Sequence, residues 1–469
     1  MVGSTILGWA QSGSTAAAAA ALTVCIAACA KLMGRKYRDT HKRGVVLIDG
    51  RALQRRAARL KKSNPNLLTL AGMGIAAAEE TKHFKLIGTT GTGKSTAIRE
   101  LVGAALARGD RAVIADPDGG YLSKFYDRSR GDVVLNPFES HSVKWDLFTE
   151  IHDSFDIEQL AAGMIAATED PSANEWRAYA RTFLTAVVRS CHGCGRRDIA
   201  HLWRLLTRAS VEELRPIVDG TPAQPFLDPD NVRMFGSIRS VTGSSIAALE
   251  YILSQRAAPF SVRDWVRSRT SPGVLFIPYK AGQIAALRTI IATWMRLAIF
   301  EAMNQPEDCD QRLWFVVDEL DALGQIDGLK DALARLRKFG GRCVLGFQSI
   351  AQVSATYGHS AAQTIVENCG NTLILRCSGS ENGGTSQFAS RLIGDREVLR
   401  RQVSRGSDRE AALSMRSGRR SRSVTDQLVT EPAVMASELE QLPDLCGYLK
   451  TSSLPQWVKV VFSHRFKNA

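Results

Sequence analysis

Acidic residues are in short supply: 47 Asp and Glu face 60 Lys and Arg, giving a formal net charge of +13. That deficit favours polyanionic partners, nucleic acid or acidic lipid, without choosing between them. Cysteine is sparse as well. Nine in 469 residues make no disulfide scaffold, and Cys343, Cys369 and Cys377 sit in apolar runs, as in a reduced cytosolic protein. A small secreted fold and a collagen-like chain are both excluded. Long apolar runs are missing too. Residues 1–30 carry no charged side chain, yet the Ala-rich part, 16–30, falls short of the roughly 20 apolar residues of a spanning helix unless it borrows Gly, Ser and Gln upstream. No basic n-region precedes it, which excludes a secretory signal peptide. No internal repeat is present, and no Asn-Lys-x-Asp guanine reader or LSGGQ-type signature occurs.

With 45% apolar and 23% charged residues, the chain is globular and long enough for two or three domains. Residues 35–62 hold eleven Lys or Arg against two acids. Such a cluster flanks the cytoplasmic side of membrane anchors, so residues 1–34 are expected to form an N-terminal membrane segment. The alternative is an Ala-rich soluble helix with a solvated basic flank.

The strongest local signal is at 83–108. A short apolar strand, 83–87, runs into GTTGTGKST at 88–96, and a helical pattern follows to Arg108. This is G-x-x-x-x-G-K-[ST] in the strand–loop–helix context it requires. Gly88, Thr89, Thr90, Gly91, Thr92, Gly93, Lys94, Ser95 and Thr96 are therefore expected to cradle phosphate. The glycines let backbone N–H groups curl around phosphate oxygens, and the helix N-terminus adds its partial positive charge. Lys94 would reach the β- and γ-phosphates, and the Ser95 hydroxyl would ligate Mg²⁺. A phosphate loop needs a carboxylate partner. The apolar run 313–317 ends in Asp318-Glu319, the form of a Walker B strand. Asp318 would hold the hydrated metal ion, and Glu319 would polarise the attacking water as general base. The acidic pair points to ATP as cofactor and to its hydrolysis.

Lys94 and Asp318 stand 224 residues apart, too far for adjacent strands of one compact sheet. Strand patterns at 111–115 and 132–135 give way to helical spacing from about 153 to 255, and 273–277 restores the strand pattern. The expected domains are a nucleotide-binding domain in two parts, 35–152 and 256–469, with an all-α inserted domain at 153–255. After the acidic motif a helix is expected at 328–338, then strands at 343–347 and 372–376. Gln348, at the tip of the first, is placed to meet water or γ-phosphate, or is an ordinary strand-end glutamine. Arg337 and Arg335, at a helix C-terminus, read as dipole partners or as an arginine reaching a neighbouring subunit.

These motifs in order resemble the type IV coupling proteins of conjugation and type IV secretion (the TraD/TraG class), within the wider group of hexameric DNA-pumping ATPases. The residues that carry the resemblance are His41 to Gly44, 88–96, Asp116 to Gly119, Leu135 to Phe138 with Lys144 to Phe148, Val317 to Glu319, Leu336 to Gly340 and Gly346 to Ser349. The resemblance covers about residues 41–469. It implies an α/β, RecA-like P-loop NTPase with an inserted all-α domain, assembled as a homo-hexamer around DNA at the cytoplasmic face of the bacterial inner membrane. It implies that the insert faces a relaxase–DNA complex and that the chain meets the secretion channel. It matches Glu319 to the catalytic carboxylate, Gln348 to a γ-phosphate sensor and Arg337, with Arg335 close enough to compete, to the arginine acting in trans. The family's pair of N-terminal spans has no room here. A segregation or packaging pump of the same fold, and a nucleotide-gated receptor with little hydrolysis, are the rival readings.

Two further stretches stand out. Residues 391–422 hold ten arginines, four acids and no lysine, expected as a flexible loop that touches phosphate backbone or is simply solvated. Cys191-His-Gly-Cys194 lacks the second C-x-x-C that a zinc site needs, so it is read as an ordinary cysteine pair.

Overall fold

Seven mainly apolar runs of the chain lie side by side as parallel strands, with their few polar residues, such as Lys85, Arg111 and Asn371, mostly near the strand ends. The computed structural model describes residues 39–168, 170–268, 273–308, 311–381, 383–407 and 420–462. The sheet is built from β1 (Leu47–Asp49), β2 (Phe84–Ile87), β3 (Arg111–Pro117), β4 (Val133–Val134), β5 (Val274–Tyr279), β6 (Leu313–Val317), β7 (Gly341–Phe347), β8 (Asn371–Ile374), β9 (Cys446–Lys450) and β10 (Trp457–Val461). Their order is β1-β10-β9-β8-β2-β7-β6-β3-β5-β4. From β8 to β4 every neighbouring pair is parallel. β9 and β10 extend the sheet antiparallel beyond β8. Every residue of β5, β6 and β7 is buried, the pattern of parallel strands covered on both faces. β7 separates β2 from β6, so the phosphate loop and the acidic pair leave the same end of the sheet one strand apart.

Helix α1 (Lys94–Ala107) follows β2. Between Ser154 and Leu253 every described element is helical: α2 (Ser154–Met164), α3 (Pro171–Gly193), α4 (Ile199–Thr207), α5 (Val211–Val218), α6 (Val232–Ile246) and α7 (Leu249–Leu253), with two short 3-10 turns. Their starts are set by short polar caps. Asp170 accepts from Ser172 N with Pro171 at the first turn, Asp198 accepts from Ala200 N and His201 N, and Ser210 accepts from Glu213 N. The chain leaves and re-enters the sheet domain through a single clasp. Buried Glu150 accepts from Trp145 Nε1 (2.8 Å), Ser261 Oγ (3.0 Å), Val262 N (2.6 Å) and Arg263 N (3.1 Å). Arg263, in α8 (Val262–Arg267), pairs with Asp156 at the start of α2. Helix α9 (Ile284–Asn304) continues the clasp through Glu301, 2.6 Å from Arg267.

A second unit joins residues before Val46 to Gly394–Ala433. In it Thr40–Gly44 pairs antiparallel with Asp395–Ser407, which pairs in turn with Arg420–Pro432. Where it is described, the expected flexible loop at 391–422 is thus largely strand. Three of its ten arginines are matched by acids: Arg396 and Arg400 with Glu431 (2.9 and 2.8 Å), Arg400 with Asp39 (3.0 Å) and Arg401 with Asp426 (2.7 Å). The pairing acids lie outside the arginine-rich window. Residues 408–419, and the expected membrane segment at 1–34, lie outside the described residues.

At the opposite end of the sheet from the phosphate loop, Glu80 is held by Arg108 (2.8 Å) and Arg342 (3.0 Å), and Asp110 takes Trp314 Nε1 at 2.8 Å. Close by, His83 leads into β2 with a left-handed φ of 56°. Its Nδ1 accepts from Cys343 N (3.1 Å), so Nε2 is the donor to Leu333 O (2.9 Å). A proton on Nδ1 would break the first bond. Burial, with the Arg342 and Arg337 cations nearby, pushes the imidazole down to about 4. A base depressed in the folded state binds its proton first in the unfolded chain, so stability is full above about pH 6.5 and falls as pH drops towards 4. His83→Asn, which tolerates the same φ, is expected to remove on the order of 3 kcal/mol of that pH dependence, measured by denaturant midpoints between pH 7.5 and 4.5.

Candidate active site

Between Ile87 and Lys94 the backbone reverses around two left-handed glycines, Gly91 (φ 79°) and Gly93 (φ 109°). The loop is pinned from both sides, by Gly88 N to Phe347 O (3.3 Å) and Thr89 N to Arg376 O (2.9 Å), and closed within by Thr92 Oγ1 to Thr89 O (2.8 Å). No side chain caps α1, so its first N–H groups remain open to a ligand. Lys94 is buried and folds back on the loop, donating to Gly88 O at 3.0 Å. Burial lowers its affinity for the proton, while the Asp318 and Glu319 carboxylates act in the other direction.

The acidic pair follows β6. Asp318 is buried, and its Oδ2 accepts from both Ser95 Oγ (2.6 Å) and Tyr121 Oη (2.8 Å). Its Oδ1 is buried without a partner among the described residues. Glu319 is half-buried, and burial together with the Asp318 charge raises its carboxyl above the usual range. A polar chain crosses the mouth: Thr90 Oγ1 donates to Gln348 Oε1 (2.9 Å), and Gln348 Nε2 donates to Glu319 Oε1 (3.3 Å). Gly346 makes this possible, because a Cβ there would collide with Asp318 O and hold β7 away from β6.

A cavity of about 240 Å³ unites these residues, lined by Thr89, Thr90, Gly91, Gly93, Lys94, Ser95, Thr96, Asp318, Glu319 and Gln348. Gly88 and Thr92 are buried residues of the loop that do not line the cavity. Arg99, Asp444 and Leu445 also line it and were not expected there. Arg99 stands on α1 beyond the motif, and Leu445 comes from the start of β9, where no strand was expected; neither position carries a motif of its own. Arg337 is elsewhere. It is exposed and lines a larger cavity, about 640 Å³, with Glu80, Arg312, Lys338 and Arg342. That cavity lies where β6 and β7 begin, and five residues of strand put the two ends about 16 Å apart. Arg337 therefore does not join the phosphate loop of its own chain, and Arg335 is likewise exposed.

The donor set fits a phosphate chain with a hard divalent cation. A buried lysine and an uncapped helix end suit phosphate oxygens, and a serine hydroxyl beside a carboxylate oxygen with no partner suits a hydrated cation. The sequence model of the family described as type IV secretion-system coupling protein DNA-binding domain matches residues 67–462. The chain belongs to this coupling-protein family. The coupling protein TraD of Escherichia coli (strain K12) is 31% identical over 403 residues, covering 84% of this chain and 54% of TraD. The chain thus spans about half the length of that relative. The bacterial conjugative coupling protein TrwB, in an unbound form lacking its N-terminal 70 residues, superposes with a TM-score of 0.78 at 30% identity, covering 92% of this chain and 95% of that one. A second TrwB structure, in complex with ADP and Mg²⁺, matches with a TM-score of 0.78 at 29% identity, covering 92% and 96%. The expected RecA-like P-loop NTPase fold is the fold of this coupling protein. Among the described residues no helix is long and apolar enough to cross a membrane, and no cluster of three or more His, Cys, Asp and Glu is placed to hold a metal ion. Cys191 and Cys194 are free thiols.

Gly93→Ala forces a left-handed Cβ to 2.6 Å from Leu445 Cδ2, whereas a Cβ at Gly91 meets nothing within 4 Å. The first substitution is expected to cost about 2–3 kcal/mol and the second about 1, read as the fall in denaturation midpoint.

Proposed function

We propose that this chain is an ATP-dependent DNA translocase, the coupling protein that links a relaxase–DNA substrate to a type IV secretion channel in conjugative transfer. The observation that carries this reading is the convergence of Lys94, Ser95, Asp318, Glu319 and Gln348 on one cavity in a coupling-protein fold. Bound ATP with Mg²⁺ supplies a γ-phosphate polarised for in-line attack by water. Lys94 leaves the Gly88 carbonyl to meet phosphate oxygens, and residues 90–93, whose N–H groups are not spent on pinning the loop, offer them to the rest of the chain of phosphates. Ser95 and Asp318 hold the cation. Glu319, its carboxyl raised by burial, orients water and takes its proton. Gln348 keeps Glu319 in place and faces the γ-phosphate. In an assembled homo-hexamer Arg337 completes the neighbour's site. Its place at the far end of the sheet from Lys94 supports a role between copies rather than within one. In the same reading residues 153–255 form the inserted domain that receives the relaxase complex, between the nucleotide-binding parts 35–152 and 256–469. Residues 1–34 attach the chain to the inner membrane, with the bulk of it on the cytoplasmic face.

ATP turnover measured against protein concentration, with and without DNA, tests the motor. Turnover is expected to rise steeply with concentration and with DNA. Glu319→Gln should lower kcat by about 10²–10⁴ while nucleotide still binds, and Arg337→Ala should abolish the concentration dependence. Negligible wild-type turnover under every condition, with nucleotide bound, would leave a gated receptor instead. DNA binding should rest on backbone contacts. Affinity is expected to fall by roughly 10³ between 50 and 200 mM salt, with little dependence on sequence, in a fluorescence-anisotropy titration.

A further inference from the structure

We propose that Tyr121 is a positioning residue, whose hydroxyl holds the Asp318 carboxylate in the orientation that turns Ser95 towards the cation; this rests on the nucleotide–magnesium reading above. The turn after β3 is built to deliver this side chain. Asp118 and Gly119 both take left-handed φ values, 56° and 66°, and reverse the chain. The Asp116 carboxylate then locks the reversal by accepting from Tyr121 N (3.0 Å) and Leu122 N (2.7 Å). Gly120 leaves room for the Arg99 guanidinium, whose Nη2 stands 2.7 Å from where a Cβ would be, and Arg99 lies 5.5 Å from the centre of the Tyr121 ring. The ring is 1% exposed, so its hydroxyl needs a buried partner. That partner is Asp318 Oδ2, at 2.8 Å.

The same oxygen accepts the proton of Ser95 Oγ. A serine hydroxyl has one proton and two lone pairs. While the proton points at Asp318, the lone pairs face away from it and are free for a cation. Asp318 can fix that direction only if its own carboxylate does not rotate, and Oδ1 has no partner to hold it. Tyr121 is the remaining donor. Groups that orient a metal ligand without touching the metal typically change metal affinity by about 10- to 100-fold when removed.

The test is a Mg²⁺ titration of nucleotide binding, using the full chain and a fluorescent ADP analogue. Tyr121→Phe keeps the ring and removes only the hydroxyl. It is expected to raise the Mg²⁺ concentration for half-maximal binding by about tenfold, with binding in EDTA and the thermal midpoint near wild type. On an Asp318→Asn background the same substitution should add nothing, because the hydroxyl acts only through that carboxylate. Tyr121→Met, similar in bulk and without a donor, should repeat the shift if the Phe variant is less stable. A Mg²⁺ curve identical to wild type in both variants would make Tyr121 a packing residue and overturn the inference. So would a full additional effect on the Asn background. If the wild-type chain itself binds nucleotide with no response to Mg²⁺, the reading of the site fails, and the role of Tyr121 fails with it.

Discussion

The 2.6 Å hydrogen bond from Ser95 to Asp318 joins residues 223 positions apart, and every other feature of the site depends on the geometry that allows it. Ser95 lies in the first turn of α1, which follows β2, and Asp318 directly follows β6, with β7 between the two strands. Parallel strands put all three C-terminal ends on one side of the sheet, and the ends of such strands are where α/β sheets bind ligands. The close approach of β7 to β6 rests on the missing side chain of Gly346, and it is this approach that brings Gln348 to Glu319. A longer side chain at 346 would leave each motif intact in sequence and scatter the site in space.

Charge divides along the strand direction. Asp116, Asp318 and Glu319 gather at the C-terminal ends, and burial pushes Asp116 up to about 6. Lys94 and Arg99 are the cations set among them. A divalent cation held by Ser95 and Asp318 would relieve the repulsion between carboxylates buried close together. The other end of the sheet presents Arg312, Arg337, Lys338 and Arg342 around one cavity, with Glu80 as the internal counter-charge.

The helical stretch from Ser154 to Leu253 is held by polar chemistry at its base rather than by continuity of the sheet. Glu150 satisfies four donors from both sides of the connection, and Arg263 closes it onto Asp156. Buried ionic contacts of this kind add little net stability, but breaking one leaves an unpaired charge in the interior and is strongly destabilising. The clasp therefore resists slippage between the helices and the strands that feed them. Arg296 extends the link, donating to the Gln159 carbonyl in α2 and to Asp327 beyond the acidic motif.

The phosphate loop and the acidic strand were legible because their chemistry is local. Glycines at 91 and 93 are needed by backbone conformation, and the run 313–317 is apolar because both its faces are buried. The helical character of 154–253 was equally readable from its periodicity. The arginine-rich stretch misled, because the acids that pair with its described arginines, Asp39, Asp426 and Glu431, lie outside it in sequence and only strand pairing brings them close. Strands β9 and β10 escaped notice because each is short and interrupted, by Gly447 and Lys450 in one and Lys459 in the other, which leaves no continuous apolar run. By itself, then, the sequence determined the phosphate chemistry, the order of the motifs and the class of fold, each of which is encoded in neighbouring residues. Only the tertiary structure decided that Tyr121 donates to the Walker carboxylate and that Arg99 lines the cavity, that Leu445 presses on Gly93, and that Arg337 lies at the far end. Those facts depend on strand order and on turns between distant segments, and no local spacing records them.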